Sequence, residues 1–373
     1  TQQGLMGGLA FALFYTGLGI PIAMLADSKS RTWIMTIALA VWSAMTAACG
    51  LAQNFWQLFA ARVGVGMGEA GGVAPAYSLI TDYFPPGKRG RALSIFSFGI
   101  PIGSALGIVL GGVFTSLIDW RYAFFIVGIA GIALAPLFRL TVREPSRGQF
   151  DRATTGPAAV GPAEVARKLK QKKAFWYLSL AGAFTSMTGY GLYFWLPSYF
   201  VRTFNLSVLD ASFYFGAMLL FGGLAGIWAG GVLADRYSQR TRAAHAVIPA
   251  IALLMAVPFF VIGVMSDSLL LTFIALLVPV ALGLTWLAPV LSAVQHLVQP
   301  NMRATASAVF LFINNLIGLG AGTVVIGAIS DALQSIYGDE SLRYSILAGT
   351  VFYFFAIAFF FLAARSLNRD WED

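Results

Sequence analysis

The sequence predicts an all-α integral membrane protein made of two related helical halves, and three observations support this fold class. Of the 373 residues, 58% are hydrophobic and only 11% are charged, whereas a soluble domain carries about 25% charged residues. Eleven apolar runs are long enough to cross a hydrocarbon layer of about 30 Å as helices. Two motifs from the first part of the chain recur in the second part.

The apolar runs are interpreted as helices because they lack the alternation of polar and apolar residues that marks the strands of membrane β-barrels. A spanning segment must also pair its backbone N–H and C=O groups internally, which a helix does by itself. The predicted spans are residues 4–25, 32–52, 56–83, 91–116, 121–140, 174–200, 210–234, 244–265, 268–296, 304–330 and 344–365.

The positive charges predict the orientation of the spans. Most of the 24 Lys and Arg residues lie in loops on one side, whereas the opposite loops hold only Arg121, Arg202 and Arg343. This bias places the basic side in the cytoplasm, so the net charge of +8 requires no nucleic-acid partner. We expect a monomeric, multi-pass protein of a cell membrane, the bacterial inner membrane.

Two sequence repeats divide the chain into parallel halves. LADSKSR at 25–31 returns as LADRYSQR at 233–240, and APAYSLITDYFPPGKRGRA at 74–92 returns as APVLSAVQHLVQPNMRATA at 288–306. Each pair lies on one side of the membrane, as parallel repeats require. The predicted organisation is an N-terminal bundle (1–140), a cytoplasmic linker (141–173) and a C-terminal six-helix bundle (174–373).

The end of the linker, AEVARKLKQKK, has two interpretations that the sequence leaves open. A basic helix there would lie on the anionic inner leaflet, and a solvated linker would carry the same charges.

The repeated loops resemble the G-x-L-A-D-R-x-G-R signature of the major facilitator superfamily. The first copy keeps Asp27 and Arg31, and the second keeps Asp235 and Arg236. The resemblance implies two six-helix bundles and a cytoplasmic latch that opens when the bundles rock. The predicted latch residues are Asp27, Arg31, Arg89, Asp235, Arg236, Arg240 and Arg303.

Aligning the halves also predicts a helix before the first visible span. The LAD loop follows the second span of the second half but the first visible span of the first half. We therefore expect one more N-terminal helix, which would give twelve spans in total.

Within the superfamily, the chain is similar to the Spinster branch of lysophospholipid and sphingosine-1-phosphate transporters. Residues 62–96, which include RVGVGMGEAGGVAP, and the aromatic stretch TGYGLYFWLPSYF at 188–200 carry this resemblance. It implies an amphipathic substrate, and in this branch the first helix carries an Asp–Arg pair that works with the charged site described next.

Arg62 and Glu69 are seven residues apart in an otherwise apolar and glycine-rich span. Seven residues make two helical turns, so both side chains face one side about 10 Å apart. A charge at the bilayer centre costs at least about 2.5–3.5 kcal/mol and usually faces a cavity. Snorkelling to a helix end is the alternative, mainly for Arg62. We predict that Glu69 is a protonation site and that Arg62 is its partner or a phosphate ligand.

The repeat places Gly283 opposite Glu69 and Leu276 opposite Arg62, so the ionisable groups are concentrated in the first half. This asymmetry suits an amphipathic substrate with its head group at the charged side and its chain against the second half. Further candidates for cavity lining are Tyr190, Tyr193, Phe194, Asn314 and Asn315. For the two asparagines, hydrogen bonds between helices are the alternative.

Two ladders of glycines at four-residue spacing predict close helix crossings. They are Gly103, Gly107 and Gly111, and Gly222, Gly226 and Gly230.

The predicted function is secondary active transport of an amphipathic lipid-like substrate by alternating access, with a proton-dependent switch. The alternative is proton-coupled transport of small organic anions or drugs. The expected partners are membrane lipids, the substrate and protons. With one cysteine, two histidines and neither H-E-x-x-H nor G-x-S-x-G, the sequence indicates no enzyme, catalytic residue, metal or cofactor.

Overall fold

The computed structural model describes residues 15, 17–19, 21–23, 25–26, 29–84, 92, 95–146, 162–238, 240–298 and 302–372. Throughout these ranges the regular structure is helical, and none of it is strand. We call residues 15–146 the first half and residues 162–372 the second half.

Long helices make up both halves. In the first half they are α1 (Arg31–Gly50), α2 (Phe55–Glu69), α3 (Val73–Tyr83), α4 (Gly99–Leu117) and α5 (Trp120–Thr141). In the second half they are α6 (Pro162–Gln171), α7 (Lys173–Phe204), α8 (Val208–Ala217), a π-helical turn (Met218–Gly222), α9 (Gly223–Ser238), α10 (Ala244–Met265), α11 (Leu269–Leu282), α12 (Leu287–His296), α13 (Arg303–Tyr337), a 3₁₀ turn (Gly338–Glu340), α14 (Ser341–Ala348) and α15 (Val351–Asp370).

The helices follow the predicted spans closely, apart from the span 4–25, which lies mostly outside the described residues. By length and composition, seven described helical stretches can cross a membrane. They are Arg31–Gly50, Ile95–Leu117, Trp120–Thr141, Val208–Ser238, Ala244–Met265, Leu269–His296 and Thr305–Asp370. The last stretch contains two predicted spans, 304–330 and 344–365.

Both halves break one helix at the same repeat position. α2 and α3 are separated by three turn residues, 70–72, and α11 and α12 by four, 283–286. Pro75 and Pro289 follow these breaks as the third residue of α3 and of α12. Proline lacks the N–H that an interior helical position donates, but it fits the first turn of a helix. The equivalent prolines thus account for equivalent breaks.

Glycines on the rear of α2 bring α1 close to it. A Cβ at Gly68 would lie 2.5 Å from the backbone nitrogen of Trp42, and one at Gly64 would lie 2.6 Å from the sulfur of Met45. At 100° per residue, Gly64 is about 200° around the helix from Arg62. Packing of this small-residue face on α1 therefore turns the charged face of α2 toward the opposite side.

The second glycine ladder also packs against a neighbouring backbone. A Cβ at Gly226 would overlap the carbonyl of Ala281, and one at Gly230 would overlap the carbonyl of Thr285. Gly222 lies against the carbonyl of Leu277. These residues hold α9 against the broken helix formed by α11 and α12.

The first ladder differs from this pattern. No atom of the described residues lies within 4 Å of a Cβ built at Gly103, Gly107 or Gly111. Its proposed role in helix packing therefore has no partner in the described part of the chain. On α4 the tightly packed glycine is Gly112, which lies against Ser212 of α8.

Gly226→Ala is expected to destabilise the protein by about 1–3 kcal/mol, because the added methyl group meets a backbone carbonyl that cannot rotate away. Gly107→Ala is the matched control. Its methyl group has open space, and alanine favours helix over glycine by about 1 kcal/mol, so its stability should be unchanged or higher. Thermal unfolding of both variants in detergent measures the difference. Equal losses in the two variants would contradict the packing role of Gly226.

The two halves meet along α4 and the helix that runs through α8, the π turn and α9. Gly216 lies against Val109, and Gly223 lies against Pro101. Small residues on both sides of this contact let the two backbones approach closely.

The linker ends in a helix, α6, which packs onto the second half. Its apolar residues Val165 and Leu169 are each 1% exposed and belong to the buried core of that half. Lys168 forms an ion pair of 2.9 Å with Glu372 at the end of the chain. A helix is present, as one interpretation of the sequence expected, but its apolar face contacts protein, so that face is not available to a lipid leaflet.

Candidate functional site

A cavity of about 680 Å³ lies between the two halves. From the first half it is lined by Tyr15, Arg62, Val65, Glu69, Val73, Tyr77, Phe96, Gly99, Ile100, Gly103 and Ser104. From the second half it is lined by Thr185, Ser186, Gly189, Tyr190, Leu192, Tyr193, Pro279, Val280, Gly283, Leu284, Trp286, Leu287, Leu291, Phe310, Leu311, Asn314, Asn315, Leu319 and Tyr353.

Arg62 and Glu69 both face this cavity, with Val65 one helical turn from each. The helix α2 spans both residues without interruption and ends at Glu69, directly before the break at 70–72. The predicted common face is therefore present, with the two charges about 10 Å apart along the helix axis. Among the described residues that line the cavity, these two alone carry a formal charge.

Three tyrosines, Tyr15, Tyr77 and Tyr190, line the same cavity as Glu69. Tyr15 and Tyr190 interact electrostatically with Glu69, as does Arg62. Tyr77 lies close to both of these tyrosines. A phenol donates and accepts hydrogen bonds without a charge, so these tyrosines add neutral polar groups to the cavity.

The second half contributes neutral polar groups to the same cavity. Ser186 Oγ donates a hydrogen bond of 3.0 Å to Asn314 Oδ1, which joins α7 to α13. Asn314 Nδ2 donates one of 3.3 Å to Asn315 Oδ1. Both asparagines line the cavity, and Asn314 also accepts a hydrogen bond from a neighbouring helix. The rest of this wall is mainly leucine and aromatic residues.

Some aromatic residues of α7 line the cavity, and others pack against neighbouring side chains. Tyr190 and Tyr193 line the cavity, but Phe194 does not: its ring packs edge-on against Trp195, at 5.0 Å between centroids. Phe194 follows Tyr190 by four residues, which places it about 40° further around the helix. Tyr190 already lies at the edge of the cavity-facing arc, so the extra rotation carries Phe194 past it.

Sequence reasoning missed Tyr77, Ser186 and Tyr353. Ser186 precedes Tyr190 by four residues, which is a helical spacing that places both on one face. Tyr353 had no such local signal, because α15 brings it to the cavity across the fold.

On the basic side, Arg31 is the centre of a buried ion-pair network in the first half. The residue is 1% exposed, and its Nε donates a hydrogen bond of 2.7 Å to Glu144 Oε1. Its Nη1 forms an ion pair with Asp82 at the end of α3 and a hydrogen bond of 3.0 Å with Ser78 Oγ. The network joins the start of α1, the end of α3 and the segment after α5.

Glu144 also caps the N-terminus of α1. Its Oε2 accepts hydrogen bonds of 2.9 Å from the Thr32 N–H and of 2.9 Å from Ser30 Oγ. Partial burial raises the pKa of Glu144, but the hydrogen bonds from Thr32, Arg31 and Ser30 outweigh burial and hold this pKa at about 2, below the ordinary 4.5. Glu144 is thus ionised at neutral pH.

The structure describes only part of the rest of the predicted latch. Asp27 and Arg89 lie outside the described residues, as do the side chains of Asp235 in α9 and Arg303 in α13. Arg236 and Arg240 are exposed, and neither forms an ion pair with the described part of the chain. The described ion-pair partners of Arg31 are Asp82 and Glu144, which were not anticipated from the sequence.

Within the described ranges, no group of three His, Cys, Asp or Glu side chains is placed to hold a metal ion. The arrangement at the cavity is instead one of a charged pair, hydroxyls and amides on an apolar surface. Such a surface can bind and release an amphipathic molecule.

Comparisons with known proteins give a consistent result. The profile of the Major Facilitator Superfamily matches residues 1–323. The chain is 32% identical to an "MFS-type efflux pump" of Mycolicibacterium smegmatis over 93% of this chain and 80% of that protein. It is 29% identical to "Sphingosine-1-phosphate transporter SPNS2" of Danio rerio, over 92% and 75%.

Among solved structures, the chain matches a bacterial homologue of the human lysosomal transporter Spinster, in its inward-facing and unoccupied conformation. The TM-score is 0.84 at 32% sequence identity, and the match covers 100% of this chain and 91% of that one.

Proposed function

Because the chain belongs to the Major Facilitator Superfamily, as a Spinster-like transporter and not an enzyme, we propose that it moves a lysophospholipid or a sphingosine-1-phosphate-like lipid. Transport would proceed by alternating access of the cavity to the two sides of the membrane, with a proton-dependent switch at Glu69.

The observation that carries this proposal is the chemical asymmetry of the cavity. Its described charges, Arg62 and Glu69, are both in the first half, whereas the second half contributes an extended apolar wall. A molecule with an anionic head and a long apolar chain matches both surfaces at once. Burying the chain there would remove apolar surface from water, at about 25 cal/mol per Å².

The charged pair also suggests how protons enter the cycle. A lipid phosphate and the Glu69 carboxylate are both anions, and they compete for the guanidinium of Arg62. Protonation of Glu69 ends this competition, since it removes one of the two negative charges. Access of Glu69 to solutions of different pH would therefore control phosphate binding.

One observation favours a second candidate, efflux of small organic anions or drugs. The Mycolicibacterium smegmatis relative is named an efflux pump, and an apolar cavity with one charged pair also suits such compounds. The two candidate substrates differ in size: a lipid carries a long apolar chain, whereas a small organic anion or drug does not.

The test is flux of labelled lysophospholipid and sphingosine-1-phosphate in liposomes that contain the full-length protein. We expect lipid flux that responds to a pH gradient and that falls at least about tenfold in Arg62→Gln, because the charge-assisted hydrogen bonds to phosphate are lost. Arg202→Gln is the matched control, since Arg202 is exposed near the end of α7, away from the cavity. Flux of a small organic anion without lipid flux would favour the second candidate and overturn the lipid assignment.

A further inference from the structure

The second half presents a polar surface to the cavity that the charged pair does not explain. It is formed by Ser186 of α7, by Asn314 and Asn315 of α13, and by Tyr353 of α15. All four side chains are neutral, and we call this group the neutral pole.

Hydrogen bonding within the neutral pole ends at an unused donor. Ser186 donates to Asn314, and Asn314 donates to the oxygen of Asn315. The amide nitrogen of Asn315 then has two N–H groups and no hydrogen-bond partner among the described residues. Asn315 is only 6% exposed and lines the cavity. Because this nitrogen belongs to a side chain at the cavity wall, its N–H groups can donate to a molecule that occupies the cavity.

Tyr353 adds a second unused group at a position related to Glu69. A Cβ at Gly283 would lie 3.1 Å from the Tyr353 hydroxyl, so this hydroxyl fills the space that a side chain at Gly283 would take. The repeat aligns Gly283 with Glu69. Where the first half has a carboxylate, the second half therefore has a neutral hydroxyl, which also forms no hydrogen bond to a described residue.

We propose that the neutral pole, with Asn315 as its principal donor, recognises an uncharged oxygen in the backbone of the substrate, the hydroxyl or ester group of a glycerol-type lipid. This inference rests on the proposed lipid transport and specifies which amphipathic molecules are preferred. The neutral pole contains no charge that would offset the burial of an ion, so the ionised head group binds at Arg62 instead. A lipid with a polar backbone would use both sites, and one without it would use Arg62 alone.

Lysophosphatidylcholine and hexadecylphosphocholine form a suitable pair of probes. They share the phosphocholine head and a sixteen-carbon chain, but only the first has a glycerol hydroxyl and an ester. We expect the full-length wild-type protein in liposomes to prefer lysophosphatidylcholine in a competition assay. Asn315→Leu keeps the branched shape of the side chain but removes both donors and the oxygen that accepts from Asn314. It should reduce that preference about 3–10-fold by weakening transport of lysophosphatidylcholine alone, as loss of one or two neutral hydrogen bonds predicts.

Two further variants complete the experiment: one is a control, and the other is a second test of the neutral pole. Leu316→Met changes an apolar residue of the same helix that does not line the cavity, so it should leave the preference unchanged. Tyr353→Phe removes one hydroxyl at nearly constant volume and should lower the preference even if Asn315→Leu fails to fold. Equal transport of the two lipids by the wild type would overturn this inference while leaving lipid transport intact. Transport of neither lipid would overturn the proposed function and this inference with it.

Discussion

Glu69→Gln is expected to abolish the response of lipid flux to a pH gradient while leaving the protein folded. Glutamine keeps the shape and polarity of the side chain, but it cannot take up or release a proton. A gradient of one pH unit can support up to about tenfold accumulation per coupled proton, because one unit corresponds to 1.36 kcal/mol. In the variant, the accumulation ratio should fall to about one. The measurement is uptake into liposomes with the internal and external pH set independently.

Two control variants accompany Glu69→Gln: a conservative change at the same position and the loss of a carboxylate far from the cavity. Glu69→Asp retains a titratable group on the cavity side of α2 and should keep part of the pH response. Glu164→Gln removes an exposed carboxylate of α6 and should behave as the wild type. A full pH response in Glu69→Gln would show that the proton is carried elsewhere, and Glu69 would then be a structural partner of Arg62.

Arg31→Leu is expected to destabilise the protein by about 3–5 kcal/mol, the range found when one partner of a buried ion pair is removed. The substitution leaves the Asp82 side chain, 11% exposed, and the Glu144 side chain, 30% exposed, without their shared cation. Arg31→Lys should recover only part of the loss, because an ammonium group cannot reproduce the fork geometry of the guanidinium. Thermal unfolding in detergent measures all three proteins.

Arg236→Leu is the control for this series, since Arg236 is exposed and forms no ion pair with the described residues. Its stability should change by no more than about 0.5 kcal/mol. A similar loss in Arg31→Leu and Arg236→Leu would mean that removal of a basic residue, rather than the buried network, causes the effect.

The pH dependence of stability gives a second readout of the same network. The pKa of Glu144 is held at about 2, below its ordinary value of 4.5. A lowered pKa stabilises the folded state above the unfolded value, and this contribution is lost as the pH falls from about 4.5 toward about 2. Glu144→Gln should therefore be less stable than the wild type at neutral pH, and the difference between them should shrink in acid.

The ion-pair network of Arg31, Asp82 and Glu144 includes one of the predicted latch residues, Arg31. The sequence predicted a latch that opens when the halves rock. Within the described residues, the ion-pair partners of Arg31 belong to the first half. Asp82 and Glu144 tie the start of α1 to the end of α3 and to the segment after α5. Such contacts favour movement of the first half as one rigid body, because they do not have to break when the halves move apart.

Several features could be predicted from sequence because they depend on residues close together in the chain. The spans follow from local hydropathy, and the common face of Arg62 and Glu69 follows from the 3.6-residue period of a helix. The sequence repeat also predicted that the two halves share structural features at equivalent positions. The prolines at 75 and 289 each follow a break in the same helix of their half.

Other features depend on residues that are distant in sequence. Arg31 and Glu144 are separated by 113 positions, and Ser186 and Asn314 by 128. No periodicity connects such pairs, so which carboxylate meets which arginine could not be known in advance. The same reason applies to α6: its amphipathic pattern was visible, but a lipid leaflet and a protein surface would both accept its apolar face.

What the sequence by itself determined is therefore the membrane class, the helical spans, the two-fold repeat and the charged face of α2, since each is written in composition or in local spacing. The tertiary structure alone decided that Phe194 leaves the cavity, that Tyr353 fills the space beside Gly283, and that Asn315 lies at the cavity wall. Small rotations of a helix and contacts between distant segments settle these points. Neither leaves a signal in a single sequence.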